Sequence, residues 1–270
     1  RVCASVGVES FVDLMGLRKT APQAKIGFEA CGMRTPTRRR KNPPSPPFAR
    51  GGRFVESTHS KTDMTANRQP IQLAVLISGG GRSLMNLHRR IEEGRLDATI
   101  RIVVSSRGDA PGAARARDVG LPIVVVERKT LSPEAFQERI AQAVRGADLI
   151  CMAGFLSLWR VPDELHGRVI NIHPALLPDF GGPGMYGHRV HQAVLRAGRS
   201  ESGCTVHFCD NEYDRGPIIL QRKVPVQPDD TPESLAARVF EQECIALPEV
   251  IQLFAGGRIR LEGRVVTVLP

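Results

Sequence analysis

The chain has 270 residues, 41% of them apolar, and a formal net charge of +9. No apolar run approaches the ~18 residues that a membrane span needs, so the sequence predicts no membrane partner. Residues 1–70 hold 13 Lys and Arg against 5 Asp and Glu, whereas residues 71–270 hold 24 against 23, and this nearly neutral body argues against nucleic acid as its partner.

Residues 1–70 lack the pattern of a folded domain. The stretch 35–47 (TPTRRRKNPPSPP) is basic and rich in proline, and such a composition buries too little apolar surface to offset the entropy of ordering the chain. We therefore expect a disordered extension, or an over-long gene start before Met64, in preference to an Arg-rich targeting peptide. The folded domain is predicted over residues 71–270.

From Ile71 onward, apolar strands alternate with helices that have one apolar face. Strands are predicted at residues 71–77, 99–104, 122–126, 149–153, 169–172, 204–209 and 218–226. Helices are predicted around residues 84–91, at 110–119, from Ser132-Pro133, around 191–197 and from Thr231-Pro232, the last one interrupted at Pro248. This alternation predicts an α/β fold, with a Rossmann-like, open, mostly parallel sheet and helices on both faces.

The six cysteines, at positions 3, 31, 151, 204, 209 and 244, form neither a CxxC pair nor a Cys/His spacing typical of metal sites. Scattered cysteines of this kind are usually reduced and partly buried, which favours a cytoplasmic setting. The sequence therefore predicts a cytoplasmic protein that uses no metal.

The glycine loop between the first strand and the first helix (SGGGRS, residues 78–83) predicts an anion site. The backbone amides of Gly81, Arg82 and Ser83 lie near a helix N-terminus, where a phosphate is stabilised. The loop lacks the third glycine of a dinucleotide fingerprint and the lysine of a Walker A motif. We interpret it as a site for a phosphate monoester, and a tight structural turn is the alternative.

The loop AGFLSLW (residues 153–159) follows the fourth strand, at the edge where open α/β sheets bind ligands. Its apolar side chains and its bend at Gly154 predict a surface that holds a flat heterocycle, with hydrogen bonds from main-chain groups. For Trp159, ordinary packing is the better interpretation.

The run NIHPALLP (residues 171–178) carries the most chemical information. Asn171 and His173 are two residues apart at the end of a strand, so both side chains point to the same side, and Pro174 stops the strand. An amide donor beside a titratable ring suits a reaction that develops negative charge on oxygen and moves a proton.

The loop between the last two strands (DNEYDRGP, residues 210–217) is acidic, and taken alone it is an ordinary solvated turn. Beside Asn171 and His173, however, Asp214 becomes a candidate partner of the imidazole, because a carboxylate fixes the tautomer of a histidine and favours its charged form. His207, in the preceding strand, either lines the site or is a satisfied strand histidine.

Together, these segments resemble the phosphoribosylglycinamide formyltransferase family over about residues 71–260. The resemblance is carried by SGGGRSL (78–84), AGF (153–155), NIHPALLP (171–178), VHF through DRGPIILQ (206–221) and QE (242–243). It implies the formyltransferase fold and the transfer of a formyl group from the co-substrate 10-formyltetrahydrofolate to the amine of glycinamide ribonucleotide, with no metal.

The resemblance also implies roles for the matching residues in catalysis. Asn171 and His173 would polarise the formyl oxygen, and His173 would act as the proton donor. Asp214 would raise the pKa of His173, so that more of it is protonated at neutral pH.

For substrate binding, the resemblance implies that the backbone of Gly81, Arg82 and Ser83 binds the ribotide phosphate and that Glu243 faces the substrate amine. The implied folate-binding residues are Leu156, Ser157, Leu158 and Asn171. The chain departs from the family pattern at Ser157 and Pro133, where many members have a basic residue, and in a longer, glycine-rich loop at residues 179–188.

Other functions fit less well. Formyltetrahydrofolate deformylase has a similar Asn, His and Asp, but it carries an N-terminal regulatory α/β domain and usually has a second His where this chain has Pro174. Methionyl-tRNA formyltransferase needs a C-terminal RNA-binding domain. From another class, a non-catalytic nucleotide-phosphate binder or a protein tethered to nucleic acid by its basic segment stays open, as does the choice between a monomer and a homodimer.

Overall fold

A seven-stranded sheet with helices on both faces forms the centre of the structure, a computed structural model that describes residues 69–270. The strands of this sheet are β1 (Ile71–Ile77), β2 (Ala98–Ser105), β3 (Ile123–Val125), β4 (Leu149–Met152), β5 (Val169–His173), β6 (Glu201–Phe208) and β7 (Ile218–Pro225). A separate hairpin consists of β8 (Ile259–Glu262) and β9 (Val265–Val268). The helices are α1 (Arg82–Glu92), α2 (Pro111–Asp118), α3 (Pro133–Ala143), α4 (His188–Arg196) and α5 (Pro232–Ala255).

Every strand and helix predicted for the folded domain is present, with bounds that differ by a few residues. The extension predicted over residues 1–70 lies almost entirely outside the described residues, so that division of the chain stays a prediction. Among residues 69–270, no helix is long and apolar enough to cross a bilayer.

The strand order is β3-β2-β1-β4-β5-β6-β7, and the first five strands are parallel. The chain runs outward from β1 to β3 and then returns to place β4 on the other side of β1. β6 and β7 complete the sheet as antiparallel strands, which confirms the mostly parallel α/β prediction. The loops that follow β1 and β4 are therefore neighbours, at the position where open α/β sheets bind ligands.

Side chains alternate along β1, so this strand packs into two cores, one on each face of the sheet. Leu73 and Ile77 belong to the core that α1 and α5 cover, whereas Leu76 packs on the opposite face of the sheet with Phe136 of α3. A strand that is covered on both faces needs apolar residues at every position, which explains the continuous apolar run of β1. Each large side chain buried in this way stabilises the fold by about 1.5–3 kcal/mol.

Two helices begin with the capping residues that the sequence predicted. Ser132 accepts a 3.2 Å hydrogen bond from the amide of Ala135 at the start of α3. Thr231 and Ser234 form a reciprocal capping box at the start of α5. Caps of this kind are worth about 1 kcal/mol each.

The expected interruption of the last helix at Pro248 is wrong, because α5 continues from Pro232 to Ala255. A proline at position 248 removes the N–H that would bond to the carbonyl of Cys244. The side chain of Asn86, in α1, donates a 3.0 Å hydrogen bond to this carbonyl instead. A hydrogen bond between two helices thus replaces one that is missing within a helix.

The glycine loop packs against α2 without room for a side chain. Gly112 donates a 2.9 Å hydrogen bond to the carbonyl of Gly79, and a Cβ added to Gly112 would lie 2.7 Å from that oxygen. A Cβ on Gly81 would lie 2.8 Å from the Cα of Gly112. The start of α2 is therefore the support on which the loop rests.

Replacing Gly112 with alanine is expected to lower the free energy of unfolding by about 2 kcal/mol, because the methyl group overlaps backbone that cannot move away cheaply. Gly79→Ala is the matched control, since a Cβ at Gly79 has no atom within 4 Å. Urea denaturation of both variants measures the difference. Equal stabilities would contradict the close approach described above.

Candidate active site

A cleft of about 420 Å³ opens beside the loops that follow β1 and β4 and the end of β5. Most of the site residues predicted from the sequence line this cleft: Gly81, Arg82, Ser83, Leu156, Asn171, His173, Asp214 and Glu243. Ser157 and Leu158 do not line it, and they lie in a neighbouring pocket with Tyr213. The fold thus brings the three catalytic candidates, the phosphate loop and Glu243 into one space.

The glycine loop presents the start of a helix to the cleft. Gly81 has φ +69°, a conformation that glycine adopts at little cost, and α1 begins at the next residue, Arg82. The first N–H groups of a helix have no acceptor within the helix, so they are free to bind an anion. From α2, the guanidinium of Arg115 donates a 2.7 Å hydrogen bond to the carbonyl of Gly80 and holds the loop in place.

The side chain of Arg82 lies against α5. Its guanidinium carbon is 3.6 Å from the centroid of the Phe240 ring, a cation–π contact. The side chain of Arg82 therefore joins α1 to α5, and the predicted contact of its backbone amide with an anion stays a prediction.

The register of the sheet orients the amide of Asn171. Asn171 in β5 lies directly opposite His207 in β6, and its Nδ2 donates a 3.1 Å hydrogen bond to the His207 Nε2. The His207 Nδ1–H donates to the Phe208 carbonyl at 2.8 Å, so Nε2 is the acceptor in the neutral ring, and this nitrogen also lies 3.7 Å from the Oδ1 of Asp214. His207 is therefore a satisfied strand histidine that also fixes the direction of Asn171.

Asp214 reaches the same groups from a loop that folds back along β5. Its Oδ2 accepts a 2.8 Å hydrogen bond from the amide of Gly182 and lies 3.6 Å from the Nδ1 of His173, while Oδ1 lies 3.4 Å from the Nδ2 of Asn171. Asp214 has φ +55°, a left-handed conformation that Asp tolerates better than most residues. Burial alone would raise the pKa of Asp214, but its imidazole neighbours and the Gly182 amide outweigh burial and hold it below its ordinary value.

The pKa of His173 lies below its ordinary value, so the predicted net rise is wrong. Burial of the ring is the dominant cause, and the charge of Asp214 and the carbonyl of Phe180 raise the pKa by less than burial lowers it. The Nε2–H of His173 donates a 2.9 Å hydrogen bond to that carbonyl. Both ring nitrogens thus face acceptors that suit the charged form, although desolvation favours the neutral one.

Glu243 is a partly buried carboxyl of α5 that lines the cleft. Burial raises its pKa to about 7, and the charge of Arg82 opposes this shift only in part. A carboxyl with such a pKa exchanges protons easily at neutral pH. Its chemistry fits the role that the sequence assigned to it, beside an amine.

In the loop after β4, fewer main-chain groups are free to bind a ligand than the sequence predicted. The amide of Leu156 donates a 2.9 Å hydrogen bond to the Ser78 hydroxyl, and the carbonyl of Leu158 accepts one from Gln137 at 3.1 Å. The side chains of Leu156 and Leu158 are 48% and 39% exposed, so they remain available to a ligand. Trp159 is buried in the core, as predicted.

Several residues of the site were not singled out from the sequence. Ser78 links the ends of β1 and β2 through a 2.6 Å hydrogen bond to Ser106. Thr205 donates to the carbonyl of Ala175 at 2.7 Å and thereby holds the segment after His173. Neither residue was assigned a role of its own, because a hydroxyl directly after an apolar strand, as at Ser78, or within one, as at Thr205, is too common to mark a site.

His191, in α4, also lines the cleft and was not predicted to belong to the site. It is buried, and among residues 69–270 its Nδ1 has no hydrogen-bond partner. Burial lowers the pKa of His191 to about 4, so the ring is neutral over most of the pH range.

The C-terminal hairpin braces the loop that carries Asp214. Arg264, between β8 and β9, donates a 3.1 Å hydrogen bond to the carboxylate of Asp210 and a second one to the carbonyl of Arg215. The loop is therefore held at both sides of Asp214.

A sequence-family model described as formyl transferase matches residues 71–251, which cover the glycine loop, the Asn171–His173 pair, Asp214 and Glu243. The chain belongs to the formyl transferase family. Within this family, the phosphoribosylglycinamide formyltransferase of Arabidopsis thaliana, named as chloroplastic, is 39% identical over 197 residues, which are 70% of this chain and 67% of the relative. The enzyme of the same name from Haemophilus influenzae is 37% identical over 71% of this chain and 90% of its own length.

Solved structures agree with this family assignment. A glycinamide ribonucleotide transformylase from Symbiobacterium toebii superimposes with a TM-score of 0.70 at 39% identity, over 76% of this chain and 96% of that one. A formyltetrahydrofolate deformylase from Pseudomonas syringae has a TM-score of 0.66 at 23% identity, a likeness that shows the fold alone.

Replacing Asp214 with asparagine keeps an acceptor for the Gly182 amide but removes the negative charge beside His173. We expect the pKa of His173 to fall further below its ordinary value, because the charge is one of the two contributions that raise it. An NMR titration of the ring measures this. Asp163→Asn, beside the exposed His166, is the control, and an unchanged His173 in both variants would contradict the coupling.

Glu243→Gln is expected to change how stability depends on pH. The folded-state pKa of Glu243, about 7, lies above the ordinary value of 4.5, so its contribution to stability is full below the ordinary value and is lost as the pH rises through 7. From about pH 5 to about pH 8, the wild type should therefore lose roughly 2–3 kcal/mol of unfolding free energy relative to the variant. Urea denaturation at several pH values checks this, with the exposed Glu241→Gln as the control. Parallel pH profiles of wild type and Glu243→Gln would contradict it.

Proposed function

We propose that the chain transfers the formyl group of 10-formyltetrahydrofolate to the amine of glycinamide ribonucleotide and so forms N-formylglycinamide ribonucleotide in purine biosynthesis. The observation that carries the proposal is the meeting, in one cleft, of an anion-binding loop, the Asn171, His173 and Asp214 side chains, and a carboxyl that titrates near neutrality. The names of the relatives described above support the same reaction.

The two ends of the ribotide fit two parts of the cleft. Its phosphate matches the N–H groups at the start of α1, where the helix dipole favours an anion. Its amine matches Glu243. An ammonium group is no nucleophile, so a carboxylate with a pKa of about 7 serves to remove a proton from it.

The attack of the amine on the formyl carbon places negative charge on the formyl oxygen, and Asn171 and His173 stabilise that charge. The Nδ2 of Asn171 makes a short hydrogen bond to His207 but only a 3.4 Å contact to Asp214. The amide hydrogen that faces Asp214 is therefore the one that turns to the substrate with the smaller loss of hydrogen-bond energy.

His173 moves the proton. Burial of the His173 ring disfavours its charged form. Negative charge that develops on the formyl oxygen raises the proton affinity of the ring, and Asp214 then stabilises the imidazolium. The new C–N bond forms, the bond from the formyl carbon to the folate nitrogen breaks, and the proton lost by the amine ends on that nitrogen. The substrate supplies the nucleophile, so the step needs no covalent enzyme intermediate.

For the folate, we propose a position along the loop after β4. Leu156 and Tyr213 line both the cleft and the pocket that contains Ser157 and Leu158. A ligand that extends from the cleft into this pocket would contact residues 156 to 158 of the predicted folate set, with the fourth member, Asn171, at its reactive end.

On the sequence alone, we further propose a cytoplasmic enzyme, monomeric or homodimeric, that acts on small molecules without a metal, a nucleic acid or a membrane as partner. The nearly neutral composition of residues 71–270 supports the absence of a nucleic-acid partner.

His173→Ala and Asp214→Ala are expected to remain folded and to lose formyl transfer by about 100- to 1,000-fold, since each removes a group that acts in the transition state. Steady-state kinetics together with circular dichroism measure both properties. His166→Ala, an exposed histidine outside the cleft, is the control. Near wild-type turnover of either site variant would refute the role of that residue.

The reaction itself is tested with the full chain by following tetrahydrofolate release from 10-formyltetrahydrofolate with and without glycinamide ribonucleotide. Release that depends on the ribotide supports the proposal. Release in its absence would indicate a deformylase, and ligand binding without release would indicate a non-catalytic binder.

A further inference from the structure

A proline within α5 leaves one carbonyl without its helical donor. Residue 248 has no N–H, so the carbonyl of Cys244 loses its hydrogen bond from four residues ahead. The helix nevertheless continues to Ala255. The neighbouring residues 246 to 248 are buried, so water does not easily take the place of the missing donor.

Asn86 supplies that donor from another helix. Its Nδ2 lies 3.0 Å from the carbonyl oxygen of Cys244, and Asn86 is buried, with 7% of the residue exposed. The Oδ1 of Asn86 accepts a 3.3 Å hydrogen bond from Arg89. This second bond fixes the orientation of the amide, because a flip would set oxygen against oxygen.

Both ends of this hydrogen bond lie next to the active site. Asn86 is one helical turn after Arg82, where α1 begins at the glycine loop. Cys244 directly follows Glu243 in α5. The bond therefore joins the two elements that, under the proposed function, hold the phosphate and the amine of the same substrate.

We propose that Asn86 is a positioning residue, whose amide sets the distance between the phosphate-binding loop and the carboxyl group of Glu243. This inference rests on the proposed function for the identity of the substrate. A ligand held at both ends is sensitive to the spacing of its two sites, and a displacement of about 1 Å in such a site costs as much as 100-fold in rate.

The proline allows the role of Asn86 to be tested with a second substitution. Asn86→Leu removes the donor but keeps the size of the side chain, whereas Pro248→Ala gives residue 248 an N–H that donates to Cys244 within the helix. The double variant therefore satisfies the Cys244 carbonyl but has no hydrogen bond from Asn86 between α1 and α5. A ribotide KM that stays raised in the double variant separates the lost connection between the helices from the lost carbonyl donor.

In the full chain, Asn86→Leu is expected to raise the KM for glycinamide ribonucleotide about tenfold and to change the KM for 10-formyltetrahydrofolate by less than about twofold. In the double variant the ribotide KM should stay raised about tenfold, because the new hydrogen bond lies within α5 and does not join it to α1. Glu92→Gln, at the exposed end of α1, is the matched control and should leave both constants unchanged.

A second readout does not depend on activity. A ¹³C NMR titration of the Glu243 carboxyl should show its pKa falling from about 7 toward the ordinary value in Asn86→Leu, because a displaced carboxyl gains water. The pKa should remain lowered in the double variant, which still lacks the bond between the helices.

Three results would overturn the proposal. In the first, Asn86→Leu only lowers the melting temperature and leaves the ribotide KM and the Glu243 titration unchanged. In the second, both KM values change equally, and in the third, the double variant recovers the wild-type ribotide KM, which would show that Asn86 only satisfies the Cys244 carbonyl. If the wild type shows no ribotide-dependent release, the proposed function fails, and the titration alone then decides whether Asn86 positions Glu243.

Discussion

The site is organised around one buried, ionised carboxylate. The oxygens of Asp214 only accept hydrogen bonds, so the groups around it, among them the amides of Asn171 and Gly182, must present hydrogens. This requirement constrains the sheet, because His207, across the β5–β6 ladder, fixes the direction of the Asn171 amide. It also constrains the neighbouring loop. A Cβ at Gly181 would lie 3.1 Å from the Cβ of Asp214, so the glycine-rich loop approaches the carboxylate as closely as it does only because it has no side chain there.

Burial acts on the titrating groups of the cleft in one direction, towards the neutral form. It lowers the pKa of His173 and His191 and raises that of Glu243. A cleft with few charges of its own is suited to a substrate that brings both a phosphate and an amine. The effects on stability oppose each other, because the two histidines, whose pKa values are lowered, destabilise the fold as the pH falls, whereas Glu243, whose pKa is raised, destabilises it as the pH rises. We therefore expect the free energy of unfolding to vary little with pH, although the protonation of the cleft residues changes.

Local signals in the sequence were enough for the elements and for most of the site. The glycine loop, the Ser132 and Thr231 caps and the Asn171–His173 pair all follow from neighbouring residues. What the sequence did not predict depends on distant contacts. The net shift of the His173 pKa is dominated by burial of the ring. The Cys244 carbonyl, which Pro248 leaves without a helical donor, receives its hydrogen bond from Asn86, 158 residues away. For Ser157 and Leu158, the loop after β4 turns out of the cleft, and no local pattern marks that turn.

The contact between Arg264 and the loop around Asp214 affects where the functional unit ends. The segment that matches the family model stops at residue 251, but the hairpin that braces the loop begins at Ile259. A graft of this domain onto another protein, or an exchange of segments between relatives, would therefore need to carry β8 and β9 along. Otherwise the transplanted piece would contain every residue of the cleft and yet leave Asp214, the carboxylate beside His173, on a loosened loop.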